Sequence, residues 1–114
     1  MEARPQELVF YMTEDDECPF ELWLESLRDR QARARIKGRL DRVKTGNLGD
    51  YKPIGAGVME FRINYGQGYR LYFAQVGTTL VLLLCGGDKS TQNQDIIRAK
   101  HYWIDFQRRE NANL

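Results

Sequence analysis

The alternation of apolar and polar residues is sharpest in two segments, residues 58–63 and 69–73. Each segment predicts a strand with one face toward the core. The short connection 65–67 suits a hairpin turn. One pairing register keeps the apolar side chains of both strands together, whereas a slip of one residue mixes the two faces. The polar face in this register opposes Glu60 to Tyr72 and Arg62 to Arg70.

Helical spacing of apolar residues predicts two helices after a short strand at residues 8–11. The first helix should begin at Pro19, a residue suited to the first helical turn, and end near residue 27 or 28. The second should cover residues 29–44. Four positions of this second helix should face the core: Ala32, Ile36, Leu40 and Val43.

The segments flanking the hairpin predict further elements. Residues 47–57 are rich in Gly, Asn, Asp and Pro, which predicts a loop. The run Leu80–Cys85 does not alternate, so it predicts a central strand covered on both faces. Gly86-Gly87 should break this strand, and a third helix should begin at Thr91 with the capping box Thr91-Gln92-Asn93-Gln94. The predicted apolar side of that helix consists of Ile96, Ile97, Ala99, Trp103 and Phe106.

The predicted order of elements is β-α-α-β-β-β-α, an α/β (α+β) arrangement with a small, mainly antiparallel sheet packed by helices. A chain of 114 residues suits a single domain spanning residues 1–114. The longest apolar run is much shorter than the ~20 residues of a membrane-spanning helix. Residues 1–5 lack the apolar core of a signal peptide, so we expect a cytoplasmic protein with no membrane partner.

Charge is unevenly distributed along the chain. Residues 1–27 carry eight acidic residues against one basic residue, whereas residues 28–44 carry eight basic against two acidic. Such a basic segment can meet RNA, a ribosomal surface or an acidic protein, and an ordinary solvated helix face is the alternative. Three of its residues are candidates for substrate binding: Arg35, Lys37 and Arg39.

The polar face of the hairpin is the main candidate site. Arg62 and Arg70 repel each other when directly opposed, unless an anion or Glu60 lies between them. Arginine pairs suit phosphate because they donate charge-assisted, bidentate hydrogen bonds. Glu60 could act as a general base or orient the arginines. Tyr72 could stack on a base or be a half-buried aromatic residue.

Lys89 should add a third cation to this face. The two glycines before it, Gly86 and Gly87, could let a ligand approach the backbone or could serve loop geometry alone. The spacing of a P-loop is absent. A single His101 and two separated cysteines, Cys18 and Cys85, indicate no metal site. Cys85 should be a small buried hydrophobe. We expect no cofactor.

Three segments carry a family resemblance: Gly57-Val58-Met59-Glu60-Phe61-Arg62-Ile63, Gly66-Gln67-Gly68-Tyr69-Arg70-Leu71-Tyr72-Phe73, and Leu82 through Gln92 continuing to Asp95-Ile96. With the order of elements, they resemble the RelE/ParE superfamily of bacterial toxins over roughly residues 6–108. The likeness is greatest to the HigB-like branch often labelled "putative addiction module killer protein". It implies a RelE-like fold and a toxin of a type II toxin-antitoxin module, with a cognate antitoxin as partner.

The resemblance also implies an activity. Members similar to RelE cleave mRNA in the ribosomal (30S) A site without a metal, leaving a 2′,3′-cyclic phosphate. On that model Arg70 contacts the scissile phosphate, Lys89 stabilises the transition state or leaving group, Arg62 clamps phosphate, and Glu60 is a base or a positioning group. Many relatives have His or Tyr near the start of the last helix. This chain has Gln92 and Asp95 there, so the resemblance assigns no general acid or base, and Gln92 is a candidate for substrate binding.

Two other functions compete with the nuclease. ParE-like relatives share the fold but inhibit DNA gyrase and lack the cationic nuclease set, so Arg62, Arg70 and Lys89 together favour the nuclease. A phosphate-binding RNA module without toxicity is the third possibility; it predicts salt-sensitive RNA binding and normal growth on expression.

Overall fold

The computed structural model describes residues 4–112, which form a five-stranded sheet and three α-helices. The elements in chain order are β1 (Glu7–Phe10), α1 (Pro19–Ser26), α2 (Arg30–Lys44), β2 (Tyr51–Gly55), β3 (Val58–Ile63), β4 (Tyr69–Val76), β5 (Leu80–Asp88), a 3-10 turn (Lys89–Thr91) and α3 (Gln92–Ala112). The sheet order is β1-β5-β4-β3-β2. Only the β1–β5 pair is parallel among these strands. The protein is therefore mixed α/β, compatible with the predicted α+β class.

The predicted hairpin register is confirmed. In the β3–β4 pair, Glu60 lies opposite Tyr72 and Arg62 opposite Arg70. The alternation fixes this register because one face of both strands packs into a core while the other carries the polar residues.

The predicted loop at residues 47–57 is wrong in part, because β2 lies within it. This strand pairs with β3 at the edge of the sheet, and its register shifts between Pro53 and Gly55. Tyr51, Lys52 and Pro53 are all exposed, so β2 has no apolar alternation to reveal it. Proline is tolerated there because an edge strand has one unpaired side.

Two hydrophobic cores lie on opposite faces of the sheet. Helices α1 and α2 cover the face that carries Phe61, Leu71 and Phe73. The four predicted core positions of α2 are all buried, which confirms that prediction. Helix α3 covers the other face, so the polar residues of β3 and β4 lie beneath a helix. Within α3, Ile97 is 71% exposed, so its predicted place in the core is wrong.

The predicted break at Gly86-Gly87 is also wrong, because both glycines lie inside β5. A Cβ on Gly86 would overlap the ring of Trp23, and a Cβ on Gly87 would overlap the carboxylate of Asp95. The missing side chains therefore make room for close packing of α1 and α3 within the protein. Strand β5 is covered on both faces, and Cys85 is buried, as predicted.

The start of the last helix differs from the prediction as well. The capping residue is Asp88, whose Oδ1 accepts from the Ser90 backbone N–H at 2.8 Å. Thr91 completes the capping box as its third residue rather than its first. Within residues 4–112, no helix is long and apolar enough to cross a membrane. The signal-peptide prediction rests in part on Met1 to Ala3, which lie outside the described residues.

Candidate phosphate-binding site

A buried carboxylate organises the polar face of the hairpin. Glu60 is fully buried, and its Oε1 lies 3.2 Å from Arg62 Nε and 3.6 Å from Arg70 Nε. Gln92, the first residue of α3, donates from Nε2 to the other oxygen, Oε2, at 3.0 Å. The carboxylate thus offsets the repulsion between two arginines that the hairpin places opposite each other. We call these four residues, Glu60, Arg62, Arg70 and Gln92, the Glu60 cluster.

The two arginines differ in how far they reach solvent. The side chain of Arg62 is 37% exposed and that of Arg70 is 12% exposed. Arg70 also donates from Nη1 to the Gly68 carbonyl at 3.0 Å. A guanidinium has five N–H donors, so each arginine has N–H groups that these contacts do not use. An anion approaching this face would therefore meet Arg62 first and only the exposed part of Arg70.

Lys89 lies beside the cluster, at the end of β5. A side-chain carbon placed on Gly68 would lie 3.6 Å from Arg70 Nη1 and 3.9 Å from Lys89 Cβ. Lys89 is exposed, and it also borders a cavity of about 340 Å³ with the first turn of α3. The Cβ of Lys89 thus lies at the same end of the sheet as the Arg70 guanidinium, which is compatible with the predicted convergence of three cations.

The burial of Tyr72 and of Glu60 favours one of the two alternatives for each residue. Tyr72 is fully buried beneath α3, so it cannot stack on an RNA base in this structure. Burial, and after it the charge of Glu60, raises the pKa of its hydroxyl far above the usual range. Glu60 is equally inaccessible and both of its oxygens face donors, which favours the positioning role over the general base.

Asp95, the acidic residue near the start of α3, does not supply an accessible base. It is 4% exposed, and its Oδ2 accepts from the Thr91 hydroxyl at 2.5 Å. Burial raises the pKa of this carboxyl, while the hydrogen bond from Thr91 opposes that rise. Within residues 4–112, no group of three or more His, Cys, Asp or Glu side chains is placed to hold a metal ion.

The basic helix α2 divides between three environments. Arg39 is only 7% exposed, and its guanidinium donates to the carbonyls of Arg62, Leu48 and Asp50 at 3.0, 3.0 and 2.5 Å. Arg39 therefore ties α2 to the ends of β2 and β3, and little of its side chain is exposed for the predicted contact with substrate. Lys37 borders a separate groove between α1, α2 and β1.

Arg35 lies on the side of α2 that faces the hairpin. It is exposed, and its guanidinium carbon lies 4.6 Å from the centre of the Tyr65 ring. Arg42, which the sequence did not single out, borders the same cavity as Arg35 and Arg62. Helical spacing could have found it, because Arg35, Arg39 and Arg42 recur at steps of four and three residues.

The fold and the Glu60 cluster define a small mixed α/β protein with cations gathered at one end of its sheet. An uncharacterized protein of Haemophilus influenzae is 49% identical over 81 residues, which cover 71% of this chain and 82% of that protein. The chain belongs to the same family as this Haemophilus influenzae protein. No protein-family model matches the chain.

Proposed function

We propose that this protein is a RelE-like toxin of a type II toxin-antitoxin module, an endoribonuclease that cleaves mRNA on the ribosome without a metal. The observation that carries the proposal is the Glu60 cluster, in which one buried carboxylate holds two arginines of neighbouring strands next to Lys89. Family resemblance supplies the reaction, and the geometry supplies groups suited to stabilising it. A cognate antitoxin would cover this face or reposition α3.

The proposed reaction is an internal transfer at one phosphodiester. The RNA 2′-oxygen loses its proton to solvent water and attacks phosphorus, while the bond from phosphorus to the 5′-oxygen breaks and that oxygen gains a proton from solvent water. The products are a 2′,3′-cyclic phosphate and a 5′-hydroxyl. Negative charge grows on the phosphoryl oxygens during the attack, so guanidinium donors already fixed in place lower the barrier.

The exposure of the two arginines supports a division of roles in this proposal. Arg62 is the accessible clamp for phosphate, Arg70 contacts the same group from beside it, and Lys89 stabilises charge on the leaving oxygen. Glu60 and Gln92 are positioning residues. Because the two guanidinium groups are held in place before the substrate binds, binding costs less side-chain conformational entropy.

Inducing the protein in cells and mapping mRNA ends by primer extension tests the proposal. Wild type should produce new ends linked to codons, and Arg62→Ala should abolish them. Arg30→Ala is the matched control, because it removes an exposed arginine of α2 away from the cluster and should cut normally. Growth arrest with intact mRNA would contradict the nuclease, and inhibition of purified gyrase in a supercoiling assay would then support the ParE-like alternative.

A further inference from the structure

A second cationic feature lies between the middle of α2 and the end of β3. It is a cavity of about 330 Å³ bordered by three arginines of α2, by a single carboxylate and by Arg62, whose backbone carbonyl accepts from Arg39. We call it the arginine cavity, and its border includes Arg35, Gly38, Arg39, Arg42, Asp50 and Arg62. It adjoins the Glu60 cluster, because Arg62 borders the cavity and also pairs with Glu60.

The positive charge of the arginine cavity is poorly compensated. Among the described residues, Arg35 and Arg42 make no ion pair, and both are exposed. Arg39 donates to backbone carbonyls, which satisfy its hydrogen bonds without cancelling its charge. Burial, and after it the charge of Arg42, lowers the pKa of Arg39, while the charge of Asp50 opposes that shift. Crowding of like charges on one helix face is unfavourable unless an anion joins them.

Gly38 is the second observation. It lies inside α2, between Arg35 and Arg42, where glycine is less favourable than any residue except proline. No atom lies within 4 Å of the point that a Cβ on Gly38 would occupy. Packing within the described residues therefore does not require glycine here, in contrast to Gly86 and Gly87. The missing side chain leaves open space between two unpaired arginines.

We propose that the arginine cavity binds a backbone phosphate of the RNA, with Gly38 leaving room for it between Arg35 and Arg42. This inference rests on the proposed function, since it supplies a second contact for the same RNA. The ring of Tyr65 beneath Arg35 holds that guanidinium at the rim. An RNA strand crossing the end of the sheet would meet Arg62 and Lys89 on one side and this cavity on the other.

RNA suits the cavity better than an acidic protein segment does. Among the described residues that border it, Ile63 is the only aliphatic one, so a protein segment would find little apolar surface. Guanidinium groups, by contrast, bind phosphate oxygens in pairs, and release of counterions from RNA favours such contacts. The cavity therefore has the chemistry of a phosphate contact that positions the strand without reading its sequence.

Binding of a labelled RNA that cannot be cleaved tests the inference. The probe is a single strand of about 12 nucleotides with 2′-O-methyl sugars, which lack the attacking hydroxyl. Gly38→Gln fills the open space and should weaken binding about tenfold while raising the unfolding temperature, because glutamine is a better helix former. Ala34→Gln places the same side chain on an exposed position of α2 outside the cavity and should bind as wild type does.

Arg42→Ala gives a second measurement. It should weaken binding about tenfold and reduce the slope of log affinity against log salt by about 1, the signature of one lost phosphate contact. Arg30→Ala, on the same helix, should leave the affinity within about twofold, since Arg30 does not border the cavity. If Gly38→Gln and Arg42→Ala bind like their controls, the inference is overturned.

The outcomes separate this inference from the proposed function. If wild type cleaves mRNA, Arg62→Ala does not, and Gly38→Gln binds RNA normally, the proposed role of the arginine cavity is overturned and the proposed function stands. A wild type that neither binds the probe nor cleaves mRNA would overturn the proposed function. Polyglutamate serves as the competing acidic chain. If it binds more tightly than the RNA, and the two cavity variants weaken only that binding, the partner is an acidic protein and not RNA.

Discussion

Replacing Glu60 with glutamine should destabilise the protein substantially. The change removes the charge from a fully buried carboxylate and keeps its size. Arg70, whose side chain is only 12% exposed, then keeps a charge with no opposite charge beside it. Arg62 is 37% exposed and can turn its charge toward water. The perturbation therefore falls mainly on the Glu60–Arg70 pair.

The magnitude follows from this burial. Breaking a buried ion pair by removing one partner costs roughly 3–5 kcal/mol. The glutamine oxygen can still accept a hydrogen bond, and one of the two arginines is partly solvated, so we expect about 2–3 kcal/mol. That is a large part of the ~5–15 kcal/mol by which domains are stable, yet the variant should still fold.

Urea denaturation at neutral pH measures the difference. Glu110→Gln, at an exposed position near the end of α3, is the control and should change the unfolding free energy by less than about 0.5 kcal/mol. Adding Arg70→Met to Glu60→Gln should recover most of the loss, because no uncompensated charge then remains buried. A Glu60→Gln variant as stable as Glu110→Gln would refute the claim that Glu60 anchors the arginines.

Three further predictions concern packing, pH and reactivity. Gly86→Ala should lower the unfolding free energy by about 1–3 kcal/mol because its methyl group would overlap the indole ring of Trp23. Gly38→Ala should raise the unfolding free energy by up to about 1 kcal/mol, because alanine is the better helix former. Shifts of the two urea midpoints from wild type in the same direction would contradict this. The Tyr11 hydroxyl, which donates to Asp105 at 2.6 Å, lowers the pKa of that carboxyl below its ordinary 3.8. The stabilisation by the ionised Asp105 carboxylate is complete above the pKa of the unfolded state and is lost as the pH falls through the lower pKa of the folded state. Wild type should therefore lose stability more steeply below about pH 4 than Asp105→Asn does. Equal slopes of the two proteins in acid denaturation would contradict this. Burial raises the pKa of the Cys85 thiol to about 12, so iodoacetamide should not label it at about pH 8 until the chain unfolds, and rapid labelling of the native protein would contradict its burial.

Strand parity explains why the hairpin could be predicted in register. The apolar side chains of β3 and β4 leave one arrangement that buries a complete face, and that arrangement also pairs Arg62 with Arg70. The core face of α2 was predictable for the same reason, because its apolar spacing is regular. Strand β2 was not predictable, since it pairs at a sheet edge and most of its side chains are exposed without apolar alternation.

The burial of the polar face beneath α3 could not be predicted from the sequence. Glu60 and Tyr72 resemble exposed positions in the sequence because they are polar, and nothing local indicates that α3 lies over them. Burial is possible because Arg62, Arg70 and Gln92 meet the carboxylate, a contact between distant parts of the chain. The break predicted at Gly86-Gly87 is wrong for a related reason. Glycine at these positions leaves space for the side chains of Trp23 and Asp95, a contact that only the folded structure shows.

The chemistry of the cut ends tests the central claim most directly. Purified protein is added to ribosomes translating a defined mRNA, and the termini of any fragments are determined. We predict a 2′,3′-cyclic phosphate on the upstream fragment and a 5′-hydroxyl on the downstream fragment, with no fragments from Arg62→Ala and normal fragments from Arg30→Ala. Fragments ending in a 3′-hydroxyl and a 5′-phosphate, or equal cutting by Arg62→Ala, would contradict phosphodiester cleavage by the cations of the Glu60 cluster.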